Sequence, residues 1–427
     1  MTTCWRSCSG SRMTRHRSTP SPSVGRPAGK ADPQKMALTA AVVRDDWKCV
    51  RFTSPFDGLF GSVVEADDDV LGVAWDLDPA RADERALGEA VERAALHEPA
   101  LAPVRASANE LGSKAIRLDD RATFSPEQCS QEPLLRPFAW NAHSQNTWVT
   151  MQSPDGEVFV PADVERMRVH DSDPTRVKPM TSIGAACGVD WDTALTRALT
   201  EVVERHAVAA AVYSGRRAAR VRPGDDRYSV HDIAEILGGA ADVVVGLLPG
   251  SHFGLQVALA AIVGTRDGLP EVAFGSAAHA DAADAIRSAA IEAVHIFHLG
   301  WRLHRRGDPE ERPVGINTRA LWWARHGRAH LGDYFVDQVA EAQGTTSGGR
   351  TWTEIGDAIS AEGFRWAYSD ITPAWAAGAV VARAVVPALL HLQINPFPLL
   401  YAPRFPSEVE AFLRRSGGGV NNDHPFV

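Results

Sequence analysis

The chain has 427 residues with 44 basic and 53 acidic side chains, which gives a formal net charge of −9. A hydrophobic content of 44% and a charged content of 23% are ordinary for a globular protein and exclude a fibrous repeat or wholesale disorder. No apolar run reaches the roughly 18 residues that a membrane span needs. An acidic body is also unsuited to duplex DNA, whose phosphates dominate affinity. We therefore expect neither a membrane nor a DNA partner.

Residues 1–45 form a basic stretch rich in Ser, Arg, Pro and Gly, without periodicity, which predicts a disordered extension. This stretch lacks the apolar core of a signal peptide. The five cysteines include no Cys-x-x-Cys pair, so neither a disulfide framework nor a zinc ribbon is indicated. The default expectation is a reduced, cytoplasmic protein. Residues 46–427 are predicted to form one large domain of mixed α/β (α+β) class.

Hydrophobic periodicity predicts alternating strands and helices. In chain order these are strands at 63–64 and 70–75, a helix over 80–96, a hairpin over 148–160, a helix over 192–213, strands over 242–247 and 255–263, a helix over 282–299, and a strand over 379–386. The helix over 192–213 has the clearest apolar stripe, and Asp192 is its expected N-cap.

One acidic pattern occurs twice, as Glu89-x-x-Glu92-Arg93 and as Glu201-x-x-Glu204-Arg205. Carboxylates three residues apart lie on neighbouring turns of one helix face. Two such helices brought together could present four carboxylates to a hard cation such as Mg²⁺. Taken alone, each copy is more typical of a solvated helix face. Both copies, however, interrupt Ala-rich apolar helices.

The surrounding residues resemble the central signature of the YcaO family. The matching segments are 182–188, Ala194 and 201–207, preceded by Trp140, the hairpin at Trp148 and 160–162, and followed by Asp370, Thr372, Gly378, Arg383 and 386–387. The resemblance covers roughly residues 50–427. It implies a YcaO-like fold and a protein that binds ATP and Mg²⁺ without a Walker loop.

The resemblance also implies roles for individual residues. Four glutamates would hold Mg²⁺ against the phosphates: Glu89, Glu92, Glu201 and Glu204. Six residues would contact the nucleotide: Ser182, Arg205, Arg287, Glu292, His295 and Arg93. The catalytic contribution of the tail over 417–427 would come from His424 and Pro425, because azoline-forming members have Pro-rich C-termini; a frayed terminus is the alternative.

Several positions depart from the family pattern. His295 stands where Gln is usual, Arg85 where Ser is usual, and His206 where Asp is usual. The early Gly-Lys element of the family has no counterpart near 70–76. These changes leave the four core glutamates in place. Cys187 lies in an apolar loop with no base predicted beside it, so a packed thiol is expected rather than a nucleophile.

The resemblance implies an ATP-dependent cyclodehydratase. It would convert Cys, Ser or Thr of a ribosomally made precursor peptide to thiazoline or oxazoline, as in bacteriocin-like maturation. No ubiquitin-activating-enzyme-like domain is visible in the sequence, so a leader-binding partner protein of that kind is implied, and a homodimer is a family expectation. Two alternatives stay open: an enzyme that forms thioamides or amidines, and a degenerate, non-catalytic member that acts as a peptide-binding scaffold.

Overall fold

The computed structural model describes residues 44–389, except 45, 54–55, 57, 67–68, 99–101, 117–140, 168–180, 223–227, 229, 251, 309–315, 340–348 and 388. The predicted extension over 1–45 therefore falls almost wholly outside the described residues. Trp140 also lies outside them, as does the tail with His424 and Pro425.

The described strands form three sheets. They are β1 (Lys48–Thr53), β2 (Phe60–Ala66), β3 (Asp69–Asp76), β4 (Val104–Ser107), β5 (Gln145–Ser153), β6 (Gly156–Pro161), β7 (Ala185–Gly188), β8 (Ala218–Arg220), β9 (Ala241–Leu247), β10 (Gln256–Gly264), β11 (Val272–His279), β12 (Phe335–Val339), β13 (Ala367–Asp370) and β14 (Val380–Val385). The first sheet has the order β1-β2-β3, the second β11-β10-β9-β8-β12, and the third β4-β5-β13-β14-β7 with β6 also paired to β5. These pairs are antiparallel except β8 with β12.

Eight α-helices accompany these strands in the described part of the chain. They are α1 (Pro79–His97), α2 (Ala108–Leu111), α3 (Ala162–Glu165), α4 (Trp191–Ser214), α5 (His231–Leu237), α6 (Ala282–Arg306), α7 (Ile316–His326) and α8 (Trp352–Ala361), with 3₁₀ segments at Gly112–Lys114 and Gly327–Asp333. The predicted mixed α/β class is confirmed. None of the helices in the described ranges is both long enough and apolar enough to cross a bilayer.

The long helices lie between the sheets as apolar layers. Helix α4 packs between the five-stranded sheet and the sheet that contains β14 and β7. Helix α6 covers the other face of the five-stranded sheet, and α1 packs between β2, β3 and β7. Because both faces of β10 are covered, its residues are almost all buried, which explains the continuous apolar run seen in the sequence.

Helices α1, α4 and α6 are built on the same pattern. Each begins at an aspartate N-cap, which is Asp78, Asp190 or Asp281. In each helix the residues four and eight positions after the cap are buried alanines, and a glutamate follows at position eleven. The three sets are Ala82, Ala86 and Glu89; Ala194, Ala198 and Glu201; and Ala285, Ala289 and Glu292. The chain therefore contains three copies of a strand–cap–helix unit.

The small residues of this unit let the helix approach its strand closely. Gly72 and Gly275 each lie six residues before the aspartate cap. A Cβ atom at either glycine would overlap the backbone of the following helix, at Ala86 and Ala289 respectively. Such close contact fixes the axial position of each helix on its sheet, because any larger residue would push the two apart.

The predicted N-cap of α4 is wrong by two residues. Asp190, not Asp192, caps the helix, and its carboxylate accepts the backbone N–H of Thr193 at 2.8 Å. Asp192 instead accepts a hydrogen bond from the indole Nε1 of Trp352 at 2.8 Å. Both aspartates precede the same apolar stripe, so the sequence pattern alone could not distinguish them.

Replacing Gly275 by alanine should destabilise the protein strongly. The added methyl group would overlap the α6 backbone, so helix and strand must separate; we expect a loss of about 2–3 kcal/mol. Urea denaturation of the wild type and the variant measures it. Gly332→Ala is the control, because no atom lies near its built Cβ and its φ is ordinary. Equal midpoints for the two variants would show that α6 does not depend on this contact.

His298 on α6 should make the folded state sensitive to acid. Burial lowers the pKa of His298 to about 3, with Arg302 and His295 adding to the effect. The unfolded chain binds a proton near the ordinary value of about 6.5 while the folded chain does not, so stability is lost as pH falls from there toward 3. The slope contributed is at most about 1.4 kcal/mol per pH unit.

The matching variant is His298→Phe, which keeps a ring against Trp75. Its stability should fall less between pH 7 and pH 5 than that of the wild type, as measured by chemical denaturation at each pH. Identical pH profiles would show that His298 does not stay neutral in the folded protein.

Candidate functional site

Helices α1, α4 and α6 bring five glutamates together where the three sheets meet. Helix α1 contributes Glu89 and Glu92, α4 contributes Glu201 and Glu204, and α6 contributes Glu292. Arg205 lies among them: its guanidinium nitrogens are 3.9 Å from oxygens of Glu201 and Glu204 and 3.7 Å from Glu292. The two acidic motifs recognised in the sequence therefore face one centre together with a third helix.

Four of the five glutamates also close the edge of a sheet, because each hydrogen bonds to the backbone of an edge strand or of the residue before it. The backbone N–H of Val73 donates to Glu89 at 2.8 Å, that of Gly184 to Glu201 at 2.9 Å, and that of Ser276 to Glu292 at 2.9 Å. The backbone of Cys187 hydrogen bonds to Glu92. Strands β3, β7 and β11 are the edges of the three sheets in the described part of the chain. A buried edge N–H needs such an acceptor.

Three side chains of α1 follow the free edge of β3. Three hydrogen bonds join the helix to the strand. Arg85 Nη1 donates to the Trp75 carbonyl at 3.4 Å, Glu89 accepts from the Val73 N–H, and Arg93 Nη1 donates to the Leu71 carbonyl at 3.1 Å. The helix rises about 6 Å per four residues and the strand about 6.7 Å per two, so the side chains and the strand groups stay in register over this length. Arg93 also forms an ion pair with Glu89.

Burial raises the pKa values of Glu89, Glu92, Glu201 and Glu204, and the crowding of like charges adds to the effect for the last three. Burial raises the pKa of Glu92 well above its usual range, and the charges of Glu201 and Glu89 add to it. Burial likewise raises the pKa of Glu204 to about 7, although Arg205 and the hydroxyl of Ser276 act against the shift. Ser276 Oγ donates to Glu204 at 2.7 Å. The raised pKa values show that the ionised carboxylates are not fully stabilised by Arg205 alone.

These residues fit a hard divalent cation. Carboxylate oxygens are the ligands that Mg²⁺ prefers, and uncompensated buried carboxylates favour a cation nearby. Within the described ranges, no three His, Cys, Asp or Glu side chains already converge on one metal position. Mg²⁺ commonly binds through one or two carboxylates, with water and phosphate oxygens as its other ligands. Two of these glutamates would therefore be enough to bind one Mg²⁺ ion.

Arg383 on β14 fixes the loop that carries Ser182. Its guanidinium is buried and donates to the backbone carbonyls of Val164, Thr181, Ser182 and Ile183 at 2.7–3.2 Å. The next residue, Gly184, gives its N–H to Glu201. The loop is thus held between a strand and a site glutamate. Burial lowers the pKa of Arg383 to about 10, so the group stays charged at neutral pH.

A cavity of about 210 Å³ lies next to the glutamates, between α1, α6 and the edge of β3. Its lining residues are Val73, Ala74, Trp75, Arg85, Glu89, Ile291, Glu292 and His295. Burial lowers the pKa of His295 to about 4, with the charges of Arg85 and Arg93 adding to the effect, so its imidazole is neutral at neutral pH. The cavity brings together two positions, Arg85 and His295, at which the sequence departs from the family pattern.

Not every residue predicted for the site lies in it. Arg287 donates to Asp232 of α5 at 2.6 Å and, among the residues that the structure describes, forms no hydrogen bond or ion pair with the site glutamates. His424 and Pro425 lie outside the described residues. Cys187 is buried, and burial raises the pKa of its thiol to about 12, which disfavours a thiolate. Ser276 was missed, because a serine inside an apolar strand gives no signal until its helix partner is known.

A crowded set of buried carboxylates around one guanidinium defines a site for cations and phosphate groups. The family model described as YcaO cyclodehydratase, ATP- and Mg²⁺-binding, matches residues 76–390, and the chain belongs to this family. ATP and Mg²⁺ are accordingly its cofactors. No match to a curated protein was found.

Solved structures show the same fold. A heterocyclase in complex with substrate and cofactor is 19% identical with a TM-score of 0.70, over 87% of this chain and 54% of that one. YcaO from Methanopyrus kandleri, bound with AMPPCP and Mg²⁺, is 18% identical with a TM-score of 0.60, over 87% and 93%. The E. coli microcin synthetase McbBCD complex is 12% identical with a TM-score of 0.60, over 81% and 88%. The chain thus spans about half the length of that heterocyclase.

Replacing Arg383 by methionine should destabilise the protein by about 3–5 kcal/mol, because carbonyl groups and nearby glutamates would lose a buried charged partner. Thermal or urea unfolding measures the loss. Arg365→Met is the matched control: Arg365 also donates to two carbonyls, Ser113 and Ala115, but is exposed. We expect less than about 1 kcal/mol for it. Equal effects would contradict a special role for Arg383.

Proposed function

We propose that this protein uses ATP and Mg²⁺ to activate backbone amides of a ribosomally made precursor peptide, cyclising Cys, Ser or Thr to thiazoline or oxazoline. The observation that carries the proposal is the convergence of five glutamates from three helices, three of which, Glu201, Glu204 and Glu292, lie within 3.9 Å of the guanidinium of Arg205. A solved relative of the same fold is a heterocyclase that holds substrate and cofactor. Bacteriocin-like maturation in the cytoplasm is the proposed setting.

The reaction removes one amide oxygen. The peptide thiol or hydroxyl gives up its proton to solvent and adds to the preceding carbonyl carbon, and the resulting oxyanion takes the γ-phosphoryl group of ATP as the bond to ADP breaks. Loss of the amide N–H proton and of phosphate then leaves a C=N bond. Phosphorylation is needed because an amide oxygen is otherwise a very poor leaving group. A divalent cation supplies charge neutralisation for the phosphates.

The residues of the chain would divide this work as follows. Glu89, Glu92, Glu201 and Glu204 hold the cation. Arg205, which is already held among carboxylates, is placed to contact a phosphate oxygen by charge-assisted hydrogen bonds. Backbone N–H groups and, for Glu204, the hydroxyl of Ser276 orient one oxygen of each carboxylate before any ligand arrives, so little reorganisation is needed on binding.

The partners follow from the same proposal. The substrate is a precursor peptide, and a leader-binding protein of the ubiquitin-activating-enzyme type would deliver it; a homodimer is compatible with the family. Formation of a thioamide or an amidine would use the same activated carbonyl with a different nucleophile. Mass spectrometry of a modified peptide separates the thioamide, which exchanges oxygen for sulfur, from the azoline and the amidine, which each lose the mass of one water; fragmentation then tells these two apart by whether a Cys, Ser or Thr or an amine is joined to the carbonyl carbon.

Glu201→Gln/Glu204→Gln should abolish Mg²⁺-dependent ATP binding, because amide oxygens carry no charge for the cation. We expect ATP affinity to fall at least about 100-fold in calorimetry with Mg²⁺ present. The fold should persist, since glutamine can still accept the hydrogen bonds of Gly184 and Ser276.

The control is Glu235→Gln, an exposed glutamate on α5 that should leave ATP affinity unchanged. If the double variant binds ATP like the wild type, the nucleotide does not use these carboxylates. If the wild type itself binds no ATP with Mg²⁺, even with its partner protein present, the catalytic proposal fails and a peptide-binding scaffold remains.

A further inference from the structure

We infer that Arg85 and His295 form an anion-binding end of the cavity beside the glutamates, and that this end receives a phosphate group of the nucleotide. The inference rests on the proposed function; it adds Arg85 to the residues that contact the nucleotide and assigns His295, already expected to contact it, to a phosphate group. It concerns two of the positions where the sequence departs from its family, both of which line one cavity.

The size of the cavity limits what can enter it. Sites that enclose a whole small molecule usually measure roughly 300–1,000 Å³. A cavity of about 210 Å³ therefore takes one group of a larger ligand. Glu89 and Glu292 also line it, so it opens directly on the carboxylates proposed to hold the cation. If one phosphate of a polyphosphate is bound through the cation on these carboxylates, the adjacent phosphate can enter the cavity.

Comparison of the three strand–cap–helix units shows that the unit of α6 carries one negative charge fewer at the position that lines the cavity. Fourteen residues after the cap, α1 has Glu92 and α4 has Glu204, whereas α6 has His295. The third unit thus replaces a carboxylate by a neutral imidazole where the cavity lies. His295 has no hydrogen-bond partner among the described residues, so one ring N–H remains to donate to a ligand.

Arg85 supplies the positive charge at the same end. Its contacts with described residues both use Nη1: the Trp75 carbonyl at 3.4 Å and Asp76 Oδ2 at 3.3 Å. Half of its side chain is exposed. Nε and Nη2 therefore remain for an anion, and a guanidinium presents two parallel N–H groups to phosphate oxygens. A guanidinium and an imidazole N–H lining the same cavity are both hydrogen-bond donors suited to phosphate oxygens.

The same units provide a matched comparison for Arg85. Seven residues after its cap, α4 carries Arg197, whose Nη1 donates to the Cys187 carbonyl at 3.1 Å, just as Arg85 donates to Trp75. Arg197 does not line the cavity. An arginine that only closes a strand edge should behave like Arg197, whereas an arginine that also binds phosphate should not.

The experiment measures ATP and adenosine binding with Mg²⁺ by calorimetry on the full chain. Arg85→Ser should weaken ATP binding about tenfold or more and leave adenosine binding unchanged, because only phosphate contacts are lost. Arg85→Lys should lose less, since a positive charge remains. Arg197→Ser should bind ATP like the wild type. Thermal unfolding of both serine variants checks that they fold alike.

A second variant tests the cavity from the opposite side. His295→Glu restores the residue type of the other two units and should weaken ATP binding at least as much as Arg85→Ser, whereas His295→Gln should stay within about threefold of the wild type because an amide can donate. Tighter ATP binding by His295→Glu would overturn the inference, since the position would then hold the cation.

Other outcomes are equally decisive. Equal ATP affinity in Arg85→Ser and Arg197→Ser would overturn the inference while leaving the proposed function intact. An equal loss for ATP and adenosine would also overturn it, because the cavity would then hold the base or the sugar. If neither the wild type nor any variant binds ATP in the presence of Mg²⁺, the proposed function itself is rejected.

Discussion

The acceptance of strand-edge N–H groups by buried glutamates is the interaction on which this structure depends. Three antiparallel edges, β3, β7 and β11, lie against helices rather than against further strands in the described part of the chain, so their edge N–H groups need acceptors from those helices. Helices α1, α4 and α6 supply acceptors at positions fixed by their aspartate caps. A carboxylate can do this with one oxygen, and its second oxygen then points away from the strand. The site is therefore made of the groups that close the sheets.

This arrangement has an energetic cost that a ligand can offset. Burial and the neighbouring like charges both disfavour the ionised carboxylates, which raises the pKa values of Glu92 and Glu204. Arg205 and the peripheral Arg93 balance part of the charge, and a divalent cation would balance the rest. The protein thus binds its cofactor with groups that are already oriented but not electrostatically satisfied, which favours tight binding over maximal stability of the empty protein.

The long elements could be predicted from the sequence, because their periodicity is a property of single segments. Helices α1 and α4 were placed to within one residue at each end, and Glu89, Glu92, Glu201 and Glu204 were picked out by their repeated spacing. The partners of these side chains were not predictable, since Arg85 and His295 lie about 200 residues apart. One signal was available and missed: the spacing from Asp to Glu is eleven residues three times.

The row of Arg85, Glu89 and Arg93 along β3 has a consequence for solubility. An open sheet edge is a template on which another chain can add a strand, and proteins commonly block it with charged side chains. Here the blocking groups are those that also serve the nucleotide site. Replacing these side chains would therefore leave the β3 edge unprotected as well as weaken nucleotide binding. We expect such a variant to aggregate more readily during folding. Selection for a soluble chain and selection for a working site act on the same three residues.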